Sequence, residues 1–167
     1  MSEAQIAWSG PPIQVVGMGM TAGMLSPAAW AALDAAELLI GSLPHLAAFP
    51  ELAAEKIPYP SPMSGLWAIL RASAGRRIVL LASGDPLFYG ISQTLLRLLP
   101  PEHLVFHPNL SSLQAAFARL GRSWHPAQCL SLHGRPLTGL RAVLQANRLY
   151  ALLTDHGSSP RAIATLL

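Results

Sequence analysis

Charge is scarce in this chain and cysteine nearly absent. Only 11% of the 167 residues are charged, while 51% are hydrophobic. A chain so apolar has ample material for a core, which excludes disorder along its whole length. Cys129 is the single cysteine, so an internal disulfide and any multi-cysteine metal site are excluded. It lies in an apolar run and reads as a buried, inert thiol. No apolar run reaches the roughly 20 residues of a membrane span, because Arg76-Arg77 and many Gly and Pro interrupt every candidate. Met1-Ser2-Glu3-Ala4-Gln5 has no basic stretch ahead of an apolar one, so no secretory signal is evident. These absences imply a cytoplasmic protein with no membrane partner. The formal charge of +3 suits an anionic ligand. The basic residues nevertheless lack the clustered, aromatic-interleaved stripe of a nucleic-acid surface, so no nucleic-acid partner is expected. The six histidines show no ligand spacing with a carboxylate on one helix face, so no metal site is expected. His45, His103, His107 and His125 read as surface or packing residues, and the four tryptophans carry no functional signal.

What is present is alternation of strand and helix. Residues 1–12 read as a loose leader ending in Gly10-Pro11-Pro12. Ile13–Val16 is a strand, and Ser26-Pro27 supplies a cap and a first-turn proline for a helix over Ala28–Ala36. Glu37–Ile40 is a second strand. The proline-rich stretch 43–61 should be irregular apart from a turn around His45–Phe49. Met63–Ala74 is helical, Arg77–Ala82 is the third strand, and Tyr89–Leu99 is helical, with Leu87, Ile91, Leu95, Leu98 and Leu99 on one face. His103–His107 is a fourth strand and Leu113–Leu120 a helix. Strands alternating with helices imply an α/β fold with a mainly parallel sheet. The boundary at Gly121-Arg122-Ser123 sets an amino-terminal α/β domain over 13–120 apart from a second unit over 121–167. That unit holds strands at Ala127–Leu132 and Leu149–Thr154 and helices at Leu137–Asn147 and after Pro160. So few elements suggest the beginning of a second α/β domain, cut short.

The most informative stretch is Ser83-Gly84-Asp85-Pro86, where a strand apolar on both faces meets a small polar loop that feeds a helix. Open α/β sheets bind ligands at that carboxyl edge. Gly17-Met18-Gly19-Met20-Thr21-Ala22 fits the permissive dinucleotide pattern G-x-G-x-x-G/A. The acid that should close the second strand is missing, however, since Gly41-Ser42 stands there. A nucleotide-dependent oxidoreductase is therefore the weaker alternative, beside a non-catalytic ligand-binding remnant. His133-Gly134-Arg135-Pro136 ends the fifth strand, where Arg135 could clamp a carboxylate with two prongs. Thr154-Asp155-His156 forms a polar cluster at the end of the sixth.

Four motifs in order then resemble the tetrapyrrole methylase family. They are Val16-Gly17-Met18-Gly19-Met20, Ala82-Ser83-Gly84-Asp85-Pro86-Leu87-Phe88-Tyr89-Gly90, Pro108-Asn109-Leu110-Ser111-Ser112 and Leu153-Thr154-Asp155. With Ser131-Leu132-His133-Gly134-Arg135, the chain is most similar to the precorrin-6Y branch of that family, which belongs to cobalamin biosynthesis. The resemblance implies a methyltransferase that carries a methyl group from S-adenosyl-L-methionine to carbon 5 of a precorrin. It implies two α/β domains around the cofactor and a homodimer. A fused or separate decarboxylating methyltransferase domain is a possible partner. By position, the implied cofactor contacts are Met20, Ser83, Gly84, Asp85, Phe88, Ser111, Ser112 and Thr154, with Arg135 toward the substrate. Where some relatives carry a catalytic Asp after the second strand this chain has Gly41, so no base carries over. Met20 stands where most relatives have Pro.

Overall fold

The computed structural model describes residues 8–134 and 137–167. Compactness divides the chain at Ser111–Ser112.

The first unit is built on β1 (Ile13–Gly17), β2 (Leu38–Gly41), β3 (Glu55–Pro58), β4 (Ile78–Ala82) and β5 (Leu104–His107). All pairings are parallel, in the order β3-β2-β4-β1-β5. Every residue of β2 and β4 is buried, as their unbroken apolar sequences require in a doubly covered sheet. Successive residues of a strand face opposite ways, and two core clusters follow. Ile13, Val15, Leu38, Ile40, Ile78 and Leu80 lie in one, with Leu66 and Leu70 of α3 (Leu66–Ala72) and Leu95 of α4 (Ser92–Leu98). Val16, Leu39, Val79 and Leu81 lie in the other, with Ala29 and Leu33 of α1 (Pro27–Asp34) and Leu46 of α2 (Leu43–Ala47). Ser26 caps α1 by accepting from the Ala29 amide at 3.2 Å, with Pro27 in the first turn, as the sequence predicts.

Several expectations need correction. The stretch 43–61 is not irregular: α2 and β3 both form there. β3 is an edge strand of four residues with Pro58 at its end, where a missing N–H costs no ladder bond. Residues before β1 are not all loose, because Trp8 is 7% exposed within the first core cluster and its Nε1 donates to the Pro11 carbonyl at 2.9 Å. The helix after β4 starts at Ser92 rather than Tyr89, and Leu87 is exposed ahead of it. Finally, the helix expected over 137–147 is only α6 (Leu140–Val143). The Tyr150 hydroxyl accepts from the Gln145 amide at 2.9 Å and donates to the Val143 carbonyl at 3.3 Å, in place of a further helical turn.

The second unit contains α5 (Ser112–Leu120), β6 (Gln128–Ser131), α6, β7 (Tyr150–Leu153) and α7 (Pro160–Leu166). The sequence reading groups α5 with the first unit; in the structure it packs on β7. β6 and β7 pair in parallel as a sheet of their own. Leu132, Leu140 and Ile163 are buried at the centre. Cys129 is half-buried on β6 rather than fully enclosed. Among the described residues no helix is long and apolar enough to cross a membrane.

Arg76-Arg77 is explained at the amino edge of the large sheet. Arg76 meets Glu55 at 2.8 Å and Arg77 meets Glu37 at 3.5 Å, so the densest basic pair is matched by acids beginning or preceding the neighbouring strands.

Burial of Trp8 leads to a stability test. Trp8→Ala should lose about 3–5 kcal/mol in urea unfolding, the usual cost of truncating a large aromatic side chain in a core. A loss below 1 kcal/mol would restore the loose-leader reading.

Candidate functional site

The chain leaves β1 for α1 on one face of the sheet, and leaves neighbouring β4 for α4 on the other. Adjacent strands whose helices depart to opposite faces open a crevice at their carboxyl ends. The loops at this crevice are joined by backbone. The Met18 amide donates to the Ala82 carbonyl at 2.8 Å and the Gly19 amide to the Gly84 carbonyl at 3.2 Å. Gly19 and Gly84 form a single antiparallel bridge beyond the parallel ladder. Turning two parallel strands into that bridge puts both residues at φ +58°, where glycine is favoured. At Gly17 the approach itself forbids a side chain, since an added Cβ would lie 2.5 Å from the Gly84 carbonyl oxygen.

The loop after β5 completes the join. Asn109 donates from Nδ2 to the Gly17 carbonyl at 2.9 Å and to the Met24 carbonyl at 3.3 Å, while its Oδ1 accepts from the Leu110 amide at 2.8 Å. The β4 loop is also folded on itself. Asp85 Oδ1 accepts from the Leu87 amide at 2.8 Å, and the Phe88 amide donates to the Asp85 carbonyl at 3.2 Å. This turn delays the start of α4. The Phe88 and Tyr89 rings then meet edge to face, 4.9 Å apart.

Met20, Ser83, Gly84, Asp85, Phe88 and Ser111 therefore lie on three loops at the carboxyl edge of the first unit. Met20 is 50% exposed and Ser83 exposed, whereas Ser111 is 5% exposed. Ser112 begins α5 and Thr154 follows β7, both in the second unit and both exposed. Arg135 lies outside the described residues. Sequence reasoning missed Asn109 as the residue that joins the loops, although it stands directly after a strand within one of the quoted motifs. It also missed His45. This histidine sits in α2 with Nε2 3.4 Å from Ser83 Oγ. The Ser42 cap and Pro44 right after β2 were the available signal. Gly41 closes β2, and an added Cβ there would lie 3.0 Å from Leu81 Cβ. The position that lacks an acid in sequence thus also lacks room for one without movement of Leu81. Among the described residues there is no group of three or more His, Cys, Asp or Glu placed to hold a metal ion.

In the second unit Asp155 ties the ends of β6 and β7 together. Its Oδ2 accepts from the Gly134 amide at 2.7 Å and its Oδ1 from the Ser158 amide at 2.6 Å. These two amide bonds, first Gly134 and then Ser158, hold its carboxyl below the usual 3.8, with nearby His133 adding a smaller attraction.

Two outcomes are expected from these contacts. Gly17→Ala should lose roughly 1–3 kcal/mol by overpacking against backbone. Gly23→Ala, which would meet nothing nearer than Thr21 Oγ1 at 3.9 Å, should be near neutral in the same urea titration. Because folding lowers the pKa of Asp155, its contribution is fully present above about 3.8 and is lost as pH falls through the lower folded value. Hydrogen-exchange protection of the Gly134 and Ser158 amides should accordingly drop as pH falls below 3.8 through that lower value. Asp155→Ala should lack that protection even at neutral pH.

The family model for Tetrapyrrole (Corrin/Porphyrin) Methylases matches residues 12–167. The chain is 35% identical over 153 residues to the cobalt-precorrin-7 C(5)-methyltransferase of Salmonella typhimurium, covering 91% of this chain and 75% of that protein. It is 34% identical over 174 residues to the decarboxylating precorrin-6Y C(5,15)-methyltransferase of a Sinorhizobium species, covering 100% of this chain but only 41% of that one. The precorrin-6Y methylase structure from Archaeoglobus fulgidus superposes with a TM-score of 0.66 at 22% identity, over 86% of this chain and 73% of that chain. The oxidoreductase alternative finds no support in these relatives. With its parallel sheet, its joined glycine loops and a match over nearly its whole length, the chain belongs to the tetrapyrrole methylase family.

Proposed function

We propose that the protein methylates carbon 5 of a precorrin in cobalamin biosynthesis, using S-adenosyl-L-methionine. The observation that carries this reading is the set of three joined loops at the crevice between β1 and β4, in a chain 35% identical to a C(5)-methyltransferase. Methylation at carbon 5 is common to the names of both curated relatives.

The residues present fit that cofactor. Ser83 and Asp85 offer oxygen acceptors for hydroxyl or ammonium groups, and among the described residues the Leu87 amide engages one Asp85 side-chain oxygen, Oδ1. The glycine loops offer backbone polar groups, while exposed Met20 and half-exposed Phe88 offer apolar surface against a base or a thioether. Bound there, the cofactor supplies an electrophilic methyl group on a sulfonium.

The protein's work is then alignment. An in-line displacement gains most from fixed orientation of the reacting atoms, and a cradle joined by backbone hydrogen bonds keeps its shape. Asp85 holds a hydroxyl or ammonium group by a charge-assisted bond. Met20 and Phe88 exclude water along the apolar part. Ser111, Ser112 and Thr154 are proposed as further cofactor contacts, with Arg135 clamping a substrate carboxylate. Gly41 supplies no base, which suits attack by an enamine-like ring carbon that needs none to become nucleophilic. A homodimer, a cytoplasmic location and a fused or separate decarboxylating methyltransferase domain belong to the same proposal.

Calorimetric titration with S-adenosylhomocysteine and NADH, followed by turnover with a precorrin, tests the reading. S-adenosylhomocysteine should bind and NADH should not. Methyl transfer separates an enzyme from a binding remnant. Asp85→Asn keeps the acceptor for Leu87 but removes the charge, so S-adenosylhomocysteine affinity should fall about tenfold or more with an unchanged thermal midpoint. Unchanged affinity would return Asp85 to a turn residue.

A further inference from the structure

Ser42 follows β2 and caps α2, which fixes His45 in the first turn of that helix at the carboxyl edge of the sheet. The imidazole spans two environments. Nε2 lies 3.4 Å from Ser83 Oγ, on the loop that follows β4. Nδ1 is buried without a well-formed hydrogen bond, although the Leu81 carbonyl lies close enough to the ring to favour its protonated form. A histidine that only packed could be replaced by leucine and would spare the protein that desolvated nitrogen. Its presence points to a task for the other one.

The neighbouring groups limit what the imidazole can be. Burial pushes it below the ordinary 6.5, and the Leu81 carbonyl offsets part of that. The same carbonyl accepts the Tyr59 hydroxyl at 3.1 Å, and burial raises the Tyr59 phenol far above neutral pH. The groups acting on His45 are thus a serine hydroxyl and a carbonyl, and the phenol that shares that carbonyl stays protonated. A neutral imidazole has one donor and one acceptor nitrogen. With Nε2 as the acceptor, the Ser83 proton is committed to His45, and both Oγ lone pairs remain for a donor on a ligand.

We propose that His45 is a positioning residue for Ser83: Nε2 takes the hydroxyl proton and so makes Ser83 a fixed acceptor for a hydroxyl or ammonium group of the cofactor. This rests on the proposed cofactor site. Protonating the imidazole would reverse the bond, because imidazolium only donates, and Ser83 would then present its own proton to the ligand.

S-adenosylhomocysteine is titrated into the wild type, Ser83→Ala, His45→Phe, His45→Gln and the double variant Ser83→Ala with His45→Phe, with the thermal midpoint of each recorded. Ser83→Ala and His45→Phe should each weaken binding about tenfold, the scale of one hydrogen bond. The double variant should be no weaker than either single one. His45→Gln, whose amide oxygen can accept from Ser83, should recover most of the affinity. Wild-type affinity should fall as pH drops below the imidazole's value, and Ser83→Ala should remove that dependence. If the wild type binds but the two losses add, or His45→Gln is as weak as His45→Phe, the role of His45 is overturned. If the wild type does not bind, the cofactor reading itself is overturned, and this inference with it.

Discussion

The hydrogen bonds between the ends of β1 and β4 are the constraint on which the first unit's upper edge depends. A parallel ladder would let the two loops diverge as their chains turn to helices on opposite faces. The Gly19–Gly84 bridge holds them together for one more step, and Asn109 brings in the loop after β5. Each partner accepts a restriction in return. Gly17 and Gly19 have no room for a Cβ, and Gly19 and Gly84 hold positive φ. The glycines of the G-x-G pattern thus have a reason in the protein's own packing, without appeal to a pyrophosphate. That explains how a dinucleotide-like pattern arises in a chain lacking the acid at the end of β2.

Much of this architecture was legible in the sequence because the signals were local and strong. Short, mainly apolar runs gave β1, β2, β4 and β5, and the Ser-Pro pair gave the start of α1. The loops at strand ends marked the carboxyl edge of the sheet, where the joined loops lie. What stayed hidden depended on partners distant in sequence. β3 has only Lys56 and Ile57 half-buried and a proline at its end, so its pairing to β2 is its main reason to be a strand. Trp8 reads as part of a loose leader until the core that receives it exists. The short α6 is ended by Tyr150, a side chain from the next strand. Leu87 kept helical spacing with Leu95 by coincidence, since the Asp85 turn intervenes.

Polar residues were harder still. Apart from the Ser42 cap and Pro44 beside it, His45 differs from the other histidines by what it meets, namely Ser83, the Leu81 carbonyl and a partly buried environment. The net positive charge was similarly uninformative as a composition. Arg76 and Arg77 face Glu55 and Glu37 at the amino edge, away from the strand ends that carry the joined loops. Such exposed ion pairs contribute little to stability, about 0–1 kcal/mol each. They also remove the densest basic pair from consideration as an anion site.

The joined loops have a thermodynamic consequence for any ligand they receive. Their backbone is already cross-linked in the absence of a ligand, so the entropy of ordering them is lost when the chain folds. Binding then has mainly the ligand's own freedom and a few exposed side chains, such as Met20, left to restrict. Affinity at such an edge is adjusted through those side chains, while the shape beneath them stays fixed by residues that have almost no side chain to vary.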